Sequence, residues 1–175
     1  MHLRTATRDD IPAIEALMAA SMAALLPKFL DEKQVERSSE TMGVDTLLVD
    51  DGTYFLVYIE DALAGCGGWS RRKTLYGGNH TTGRDDALAD PATEPAKIRA
   101  MYTHPDFTRR GIGRFLLDAG ETAAKAEGFK AMEMGSTAPG RPLYEAAGYT
   151  FMEDLSQPSE DGTIVPILRM RKALV

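Results

Sequence analysis

The sequence predicts a single α/β (α+β) domain built on one mixed β-sheet of about seven strands, with helices flanking it. Short runs rich in β-branched and aromatic residues alternate with segments whose apolar residues recur every three or four positions. A chain of 175 residues can form one hydrophobic core and is short for two, so we expect a single domain over residues 1–175.

The composition is that of a globular protein with little attraction for polyanions. Hydrophobic residues make up 43% of the chain, and the formal net charge is -6, which argues against nucleic acid or anionic membrane as a partner. The single cysteine, Cys66, excludes an intrachain disulfide and lies in an apolar run, where we expect it to be buried. We find no run of about 20 apolar residues and no signal peptide, and expect a cytoplasmic protein.

The first third of the chain predicts one strand followed by helices. Residues 3–7 form the strand, and Asp9 or Asp10 caps a helix with Pro12 in its first turn. Ile11, Ile14, Leu17 and Met18 should share the buried face of this helix. Residues 21–43 predict one or two further short helices.

The middle of the chain predicts a hairpin and then a long loop. Residues 54–59 and 62–70 form antiparallel strands around Glu60 and Asp61. Residues 71–97 carry glycines, aspartates and prolines without periodicity. Because so long a connection in a compact domain is usually functional, we expect it to border a substrate site.

The remaining elements follow at regular intervals. They are a strand at 98–103, a helix to residue 126, a strand at 130–135, a short helix at 141–147, and a closing hairpin of strands at 149–155 and 164–170. The buried face of the long helix is predicted to contain Phe115, Leu116, Ala119, Ala123 and Ala126.

An anion-binding loop is predicted between the strand at 98–103 and that long helix. Gly111 and Gly113 let backbone N–H groups approach a ligand where the helix dipole is positive. Arg109, Arg110 and Arg114 add positive charge there. A P-loop would need Gly-Lys-Ser/Thr, and a dinucleotide fingerprint would need Gly or Ala at position 116, which is Leu; we reject both.

Two motifs resemble the GNAT superfamily of N-acetyltransferases. Met-Tyr-Thr-His-Pro at 101–105 is similar to the end of the family's central strand. Thr-Arg-Arg-Gly-Ile-Gly at 108–113 resembles its Gln/Arg-X-X-Gly-X-Gly/Ala loop, with Thr108 in the first position. Residues 142–149 resemble its Leu-Tyr-X-X-X-Gly-Phe/Tyr motif, and Thr137 stands where the family often has Asn.

The resemblance implies a single-domain GNAT fold, acetyl-coenzyme A as cosubstrate and no metal. It implies transfer of an acetyl group to a primary amine, which we expect to belong to a small molecule, by direct attack. The implied cosubstrate-binding residues are Met101, Tyr102, Thr103, Thr108, Arg109, Arg110, Gly111, Ile112, Gly113, Arg114, Thr137 and Tyr144. The backbone N–H of Met101 is the implied oxyanion donor, a contribution of about 2.7–4 kcal/mol.

Tyr144 is the implied general acid, because a phenol with a pKa near 10 keeps its proton at neutral pH. The base remains open between Glu133 and His80, while His104 is expected to be a loop residue near the cosubstrate. Whether a base is needed depends on the acceptor. Deprotonating a lysine-like amine at pH 7 costs about 4.6 kcal/mol, whereas an α-amine costs about 1 kcal/mol.

The sequence leaves other functions open. Thr108 and Thr137 depart from the family pattern and leave room for a module that binds acetyl-coenzyme A without catalysis. An acetyltransferase acting on a protein or on charged tRNA is a further alternative, which the negative net charge disfavours for tRNA. Family members are often dimers, which leaves a homodimer open. Acceptor contacts are expected from residues 21–43, from 71–97 and from the last hairpin.

Overall fold

A computed structural model describes all of residues 1–175. Its strands are β1 (His2–Thr5), β2 (Tyr54–Ile59), β3 (Ala62–Ser70), β4 (Ala96–Thr103), β5 (Ala131–Ser136), β6 (Thr150–Asp154) and β7 (Leu168–Ala173). Its α-helices are α1 (Ile11–Leu25), α2 (Glu32–Ser38), α3 (Thr46–Asp50), α4 (Ile112–Ala126) and α5 (Arg141–Ala146). The strands form one seven-stranded sheet in the order β1-β2-β3-β4-β5-β7-β6. The predicted mixed sheet with flanking helices is therefore confirmed.

Each face of the sheet is covered by its own hydrophobic cluster. On one face, α4 packs on the central strands through Ile112, Leu116 and Leu117, together with Trp69 and Ile98. On the other, α1 and α3 bury Ile14, Leu17, Met18, Leu48 and Val49 against Tyr54, Leu56, Cys66 and Tyr102. Sheet burial on both sides explains why the central strands are apolar without strict alternation.

The buried face of α4 differs from the predicted one. Its buried residues are Ile112, Leu116, Leu117, Gly120 and Ala124, whereas Ala126 is exposed. Gly120 is the reason, because a side chain there would lie about 3.0 Å from Cδ1 of Ile98. The close approach at Gly120 brings Ile112, Leu117 and Ala124 into the core with the predicted Leu116, while Phe115, Ala119 and Ala123 of the predicted face pack partly buried at its edge.

The last strand also begins later than predicted. β7 starts at Leu168 instead of residue 164. Pro166 has no N–H to donate to a β-ladder, so regular pairing begins after it. Ile164 is half exposed and forms only an isolated bridge with Pro158. The short helix α3 was not predicted; the side chain of Asp45 caps it by accepting a hydrogen bond from the N–H of Leu47 at 3.0 Å.

The helical run Arg8–Lys28 is long and apolar enough to cross a membrane by length and composition, with a mean hydropathy of 1.3 over its most apolar window. This corrects the expectation that no such stretch exists. Its Ile14, Leu17 and Met18 are buried beside the central strands, as predicted, so the helix forms part of the core.

β4 and β5 separate at the centre of the sheet. They are the only parallel neighbours, and they pair only at Ala96 with Met132 and at Lys97 with Glu133. Beyond that point β4 bulges outward against β3, and Ala100 takes a φ of 52°. The sheet thus opens on the carboxyl side of these strands, and the candidate site lies in the opening.

Candidate active site

Three adjoining cavities follow the opening between β4 and β5. We name them the loop cavity, beside residues 107–114; the middle cavity, beside Met101 and Leu143; and the inner cavity, beside Met134 and Tyr76. Their volumes are about 430, 160 and 70 Å³. The loop and middle cavities share Leu25, Thr103, Gly113, Pro139 and Leu143. The middle and inner cavities share Met42, Met101, Tyr102, Thr137 and Tyr144, so the three form one path.

The loop cavity ends at the N-terminus of α4. Gly111 precedes the helix with a φ of 81°, a left-handed conformation that favours glycine. No side chain caps this helix, so its first N–H groups remain available to a ligand. Arg109 takes a φ of 64°, which continues the tight loop. The arrangement suits a phosphate group, as the sequence predicted.

The loop arginines have different positions. Arg109 and Arg114 line the loop cavity, and Nε of Arg114 also donates to Asp118 at 2.9 Å. Arg110 does not line that cavity, since its guanidinium lies over the ring of Phe107, 5.3 Å from the ring centre. Thr108 lines the cavity in the place where the family pattern has Gln or Arg.

Gly113 sets the distance between α4 and α5. A Cβ atom at this position would lie 2.6 Å from Cδ2 of Leu143. Both residues line the junction between the loop and middle cavities. The absence of a side chain at Gly113 therefore keeps that junction open.

Tyr144 lies where the middle and inner cavities meet. Its side chain is 8% exposed, and burial raises the pKa of its hydroxyl well above the ordinary value of 10.0. Desolvation is the sole cause of that shift, which agrees with a hydroxyl that makes no hydrogen bond to the protein. Thr137 and Met101 line the same junction.

The bulge in β4 is held from the opposite side of the strand by Tyr54. The hydroxyl of this buried tyrosine donates to the carbonyl oxygen of Ala100 at 2.7 Å and lies 3.2 Å from Sγ of Cys66. Burial raises the pKa of the Cys66 thiol to about 12, so Cys66 is an inert core residue, as predicted. The Tyr54 contact was not predicted, because it joins residues 46 positions apart.

A buried ion-pair network forms the inner wall. Nη2 of Arg99, on β4, donates to Oδ2 of Asp45 at 2.9 Å and to the carbonyl oxygen of Gly77 at 2.6 Å. Nη2 of Arg84, in the long loop, donates to the same Oδ2 at 2.9 Å. Desolvation lowers the pKa of Arg99, and the side chains of Arg99 and Asp45 are 2% and 1% exposed. A charged residue inside an apolar strand was the signal that could have revealed this network.

The predicted base candidates do not line any of the three cavities. Glu133 is buried beside β7, and its Oε1 accepts a hydrogen bond from Arg171 at 3.2 Å. His80 is exposed and bonds through Nε2 to the carbonyl oxygen of Ser39. Nδ1 of His104 accepts from the N–H of Asp106 at 3.1 Å. The structure therefore does not bring these residues to Tyr144.

The long loop, which the sequence predicts to border a substrate site, borders the inner cavity through Leu75, Tyr76 and Gly77. Thr41, Met42 and Gly43 supply the facing wall from the segment predicted to contact the acceptor. The aspartates of the long loop, Asp85, Asp86 and Asp90, do not line the inner cavity. Arg71 and Arg72, at the start of the long loop, pair with Glu127 and Asp51, each at 2.7 Å. No group of three or more His, Cys, Asp or Glu side chains could hold a metal ion.

Comparison with known proteins agrees with this geometry. The chain is 26% identical over 129 residues to the uncharacterised N-acetyltransferase YsnE of Bacillus subtilis, covering 71% of this chain and 73% of that one. A GCN5-related N-acetyltransferase structure from Rhodopseudomonas palustris superposes with a TM-score of 0.71 at 18% identity, over 99% and 95% of the two chains. YncA of Salmonella typhimurium, a putative acetyltransferase solved with acetyl-coenzyme A, gives 0.66 at 17% identity, over 100% and 94%.

These structural likenesses show the fold. The family itself is shown by the acetyltransferase (GNAT) family model, which matches residues 15–149 and so spans both motifs and all three cavities. The chain therefore belongs to the GNAT family of acetyltransferases and is an acyltransferase.

Proposed function

We propose that this enzyme transfers an acetyl group from acetyl-coenzyme A to the primary amine of a small molecule, by direct attack of the amine on the thioester. The observation that carries the proposal is the path from the uncapped N-terminus of α4 through the middle cavity to Tyr144. An anionic cosubstrate fits the end of the path at the N-terminus of α4, and the inner cavity beyond Tyr144 can take the acceptor.

The residues present fit acetyl-coenzyme A. The N–H groups at the start of α4, with Arg109 and Arg114, would hold the pyrophosphate. Beyond Lys97, β4 has no partner in β5, so the segment from Met101 to Thr103 can pair with the amide-bearing arm of the cosubstrate. The thioester would then lie at the junction that Met101 and Tyr144 line.

In this arrangement, the backbone N–H of Met101 would stabilise the oxyanion that forms when the amine attacks the carbonyl carbon. The C–S bond then breaks, the hydroxyl of Tyr144 would give its proton to the departing thiolate, and the proton that the amine nitrogen loses on becoming the amide would return to the Tyr144 oxygen. Because the pKa of Tyr144 is raised, the hydroxyl stays protonated throughout the neutral and mildly alkaline range. Proton donation by Tyr144 should therefore not limit the rate in that pH range.

Release of free thiol from acetyl-coenzyme A in the presence of a panel of amines tests the proposal. A non-catalytic module would bind the cosubstrate tightly yet release no thiol with any amine, and that result would refute the proposal.

The Tyr144→Phe variant tests the role of the hydroxyl. We expect cosubstrate affinity to be retained and kcat to fall about a hundredfold or more, within the range for loss of a general acid. Tyr58→Phe is the matched control, because Tyr58 lies on β2 and stacks on His2, outside the three cavities. Unchanged turnover in Tyr144→Phe would remove this residue from the mechanism.

A further inference from the structure

The inner and middle cavities contain no side chain that can take a proton from an ammonium ion. Their linings include no Asp, Glu, His or Lys. Burial raises the pKa of both Tyr102 and Tyr144, so neither forms the phenolate that could act as a base near neutral pH. Arg99 is a cation and offers no acceptor.

Two carboxylates beside residues that line the inner cavity, Asp45 and Glu40, are already paired. Asp45 lies behind its wall and accepts from both Arg99 and Arg84, and Arg84 also meets Asp86 at 3.2 Å. Glu40 lines a neighbouring cavity that shares Thr41 and Tyr76 with the inner one. Its two carboxylate oxygens accept from Arg37 at 3.2 Å and from Ser159 at 2.9 Å.

The wall of the inner cavity also disfavours a cation. The buried network places two guanidinium groups, Arg99 and Arg84, around the buried carboxylate of Asp45, and the second carboxylate that pairs with Arg84, that of Asp86, is exposed. The nearby carbonyl oxygens of Ala100 and Gly77 already accept hydrogen bonds from Tyr54 and Arg99. Nine of the 15 lining residues are hydrophobic and none is an anion, so an ammonium ion would lose part of its hydration without gaining a carboxylate partner.

From these observations we infer the acceptor class: a weakly basic primary amine, such as an α-amine, carried on a compact apolar group. This inference rests on the proposed function and narrows its substrate. At pH 7 roughly one in ten α-amines of pKa near 8 is neutral, against roughly one in 2,500 lysine-like amines of pKa near 10.4. With no base in the cavities, the amine must arrive neutral, and the weaker base is then the better acceptor.

Leucinamide and 3-methylbutylamine form a matched pair of probes, since they share the same branched apolar group and the carboxamide that leucinamide adds lowers the basicity of its amine. We expect kcat/KM at pH 7 to be at least about tenfold higher for leucinamide, because part of the difference in neutral fraction is offset by the lower nucleophilicity of the weaker base. Between pH 7 and 9, kcat/KM for 3-methylbutylamine should rise about tenfold per pH unit, while that for leucinamide should level off above pH 8.

A control variant checks for a base acting through water. Glu40→Gln should leave both pH profiles unchanged, since Glu40 does not line the inner cavity. Equal kcat/KM for the two probes at pH 7, or a profile that Glu40→Gln alters, would overturn the inference while leaving acetyl transfer intact. Transfer to neither probe, with thiol release from other amines of the panel, would also overturn the inference, whereas no thiol release with any amine, despite cosubstrate binding, would refute the proposed function. A short leucyl peptide carries the same weakly basic α-amine as leucinamide. Comparing kcat/KM for the two therefore distinguishes a polypeptide acceptor from a small-molecule one.

Discussion

The two ends of the active-site path are built in different ways. The loop cavity is formed largely by one stretch of chain, from β4 through the glycine loop into α4, and its geometry depends on backbone conformation at Arg109 and Gly111. The inner cavity is assembled from distant segments: residues 41–43, 75–77, β4 and β5. A buried ion-pair network fixes that assembly. We therefore expect mutations at the loop cavity to change cosubstrate binding, and mutations at the inner cavity to change stability and acceptor use.

Asp45→Asn should give the largest effect on stability. The change leaves Arg99 and Arg84 buried without their carboxylate, and breaking a buried pair in this way typically costs about 3–5 kcal/mol. Urea denaturation at constant pH measures the loss. Below the unfolding transition, the affinity for coenzyme A should stay close to that of the wild type, because Asp45 lies outside the loop and middle cavities.

Asp50→Asn is the control for that experiment. Its pair with Arg8 has a similar length, 2.6 Å, but the two side chains are 40% and 66% exposed. Exposed pairs are worth about 0–1 kcal/mol, so this variant should lose little. Equal losses in the two variants would show that the buried network is not what holds the inner wall.

The same contrast explains which parts of the molecule the sequence predicted. The glycine loop, β2 and β3 were predicted well because their turn residues and apolar runs are local signals. The Arg99–Asp45–Arg84 network was missed because it joins three segments far apart in the chain. Glu133 was a reasonable base candidate by its strand position. The structure pairs it with Arg171, since β7 inserts beside β5, and sequence order alone does not predict that neighbour.

Gly113→Leu should affect the other end of the path. The new side chain would displace Leu143 and fill the junction of the loop and middle cavities, so we expect coenzyme A affinity to fall at least about a hundredfold, or 2.7 kcal/mol. Isothermal titration calorimetry measures the affinity. Thr122→Leu introduces the same residue on the exposed part of α4 and should bind coenzyme A normally. Retained affinity in Gly113→Leu would mean that the cosubstrate does not pass this junction.

Tyr54→Phe tests the β4 bulge, between the two ends of the path, and we expect it to have the smallest effect. Without the hydroxyl, the carbonyl of Ala100 loses the hydrogen bond that holds the β4 bulge, and the adjacent Met101 can shift. We expect kcat to fall about tenfold, because small misplacements of reacting groups are costly, while coenzyme A affinity stays nearly constant. Stability should drop by about 1 kcal/mol.

Thr53→Val is the control. It removes another buried hydroxyl, which donates to the carbonyl oxygen of Leu48 away from the bulge, so this variant should lose a similar amount of stability and keep its kcat. If both variants turn over alike, the Tyr54 bond contributes to folding only, and the position of Met101 must be set by its neighbours Arg99 and Tyr102, which pair with β3.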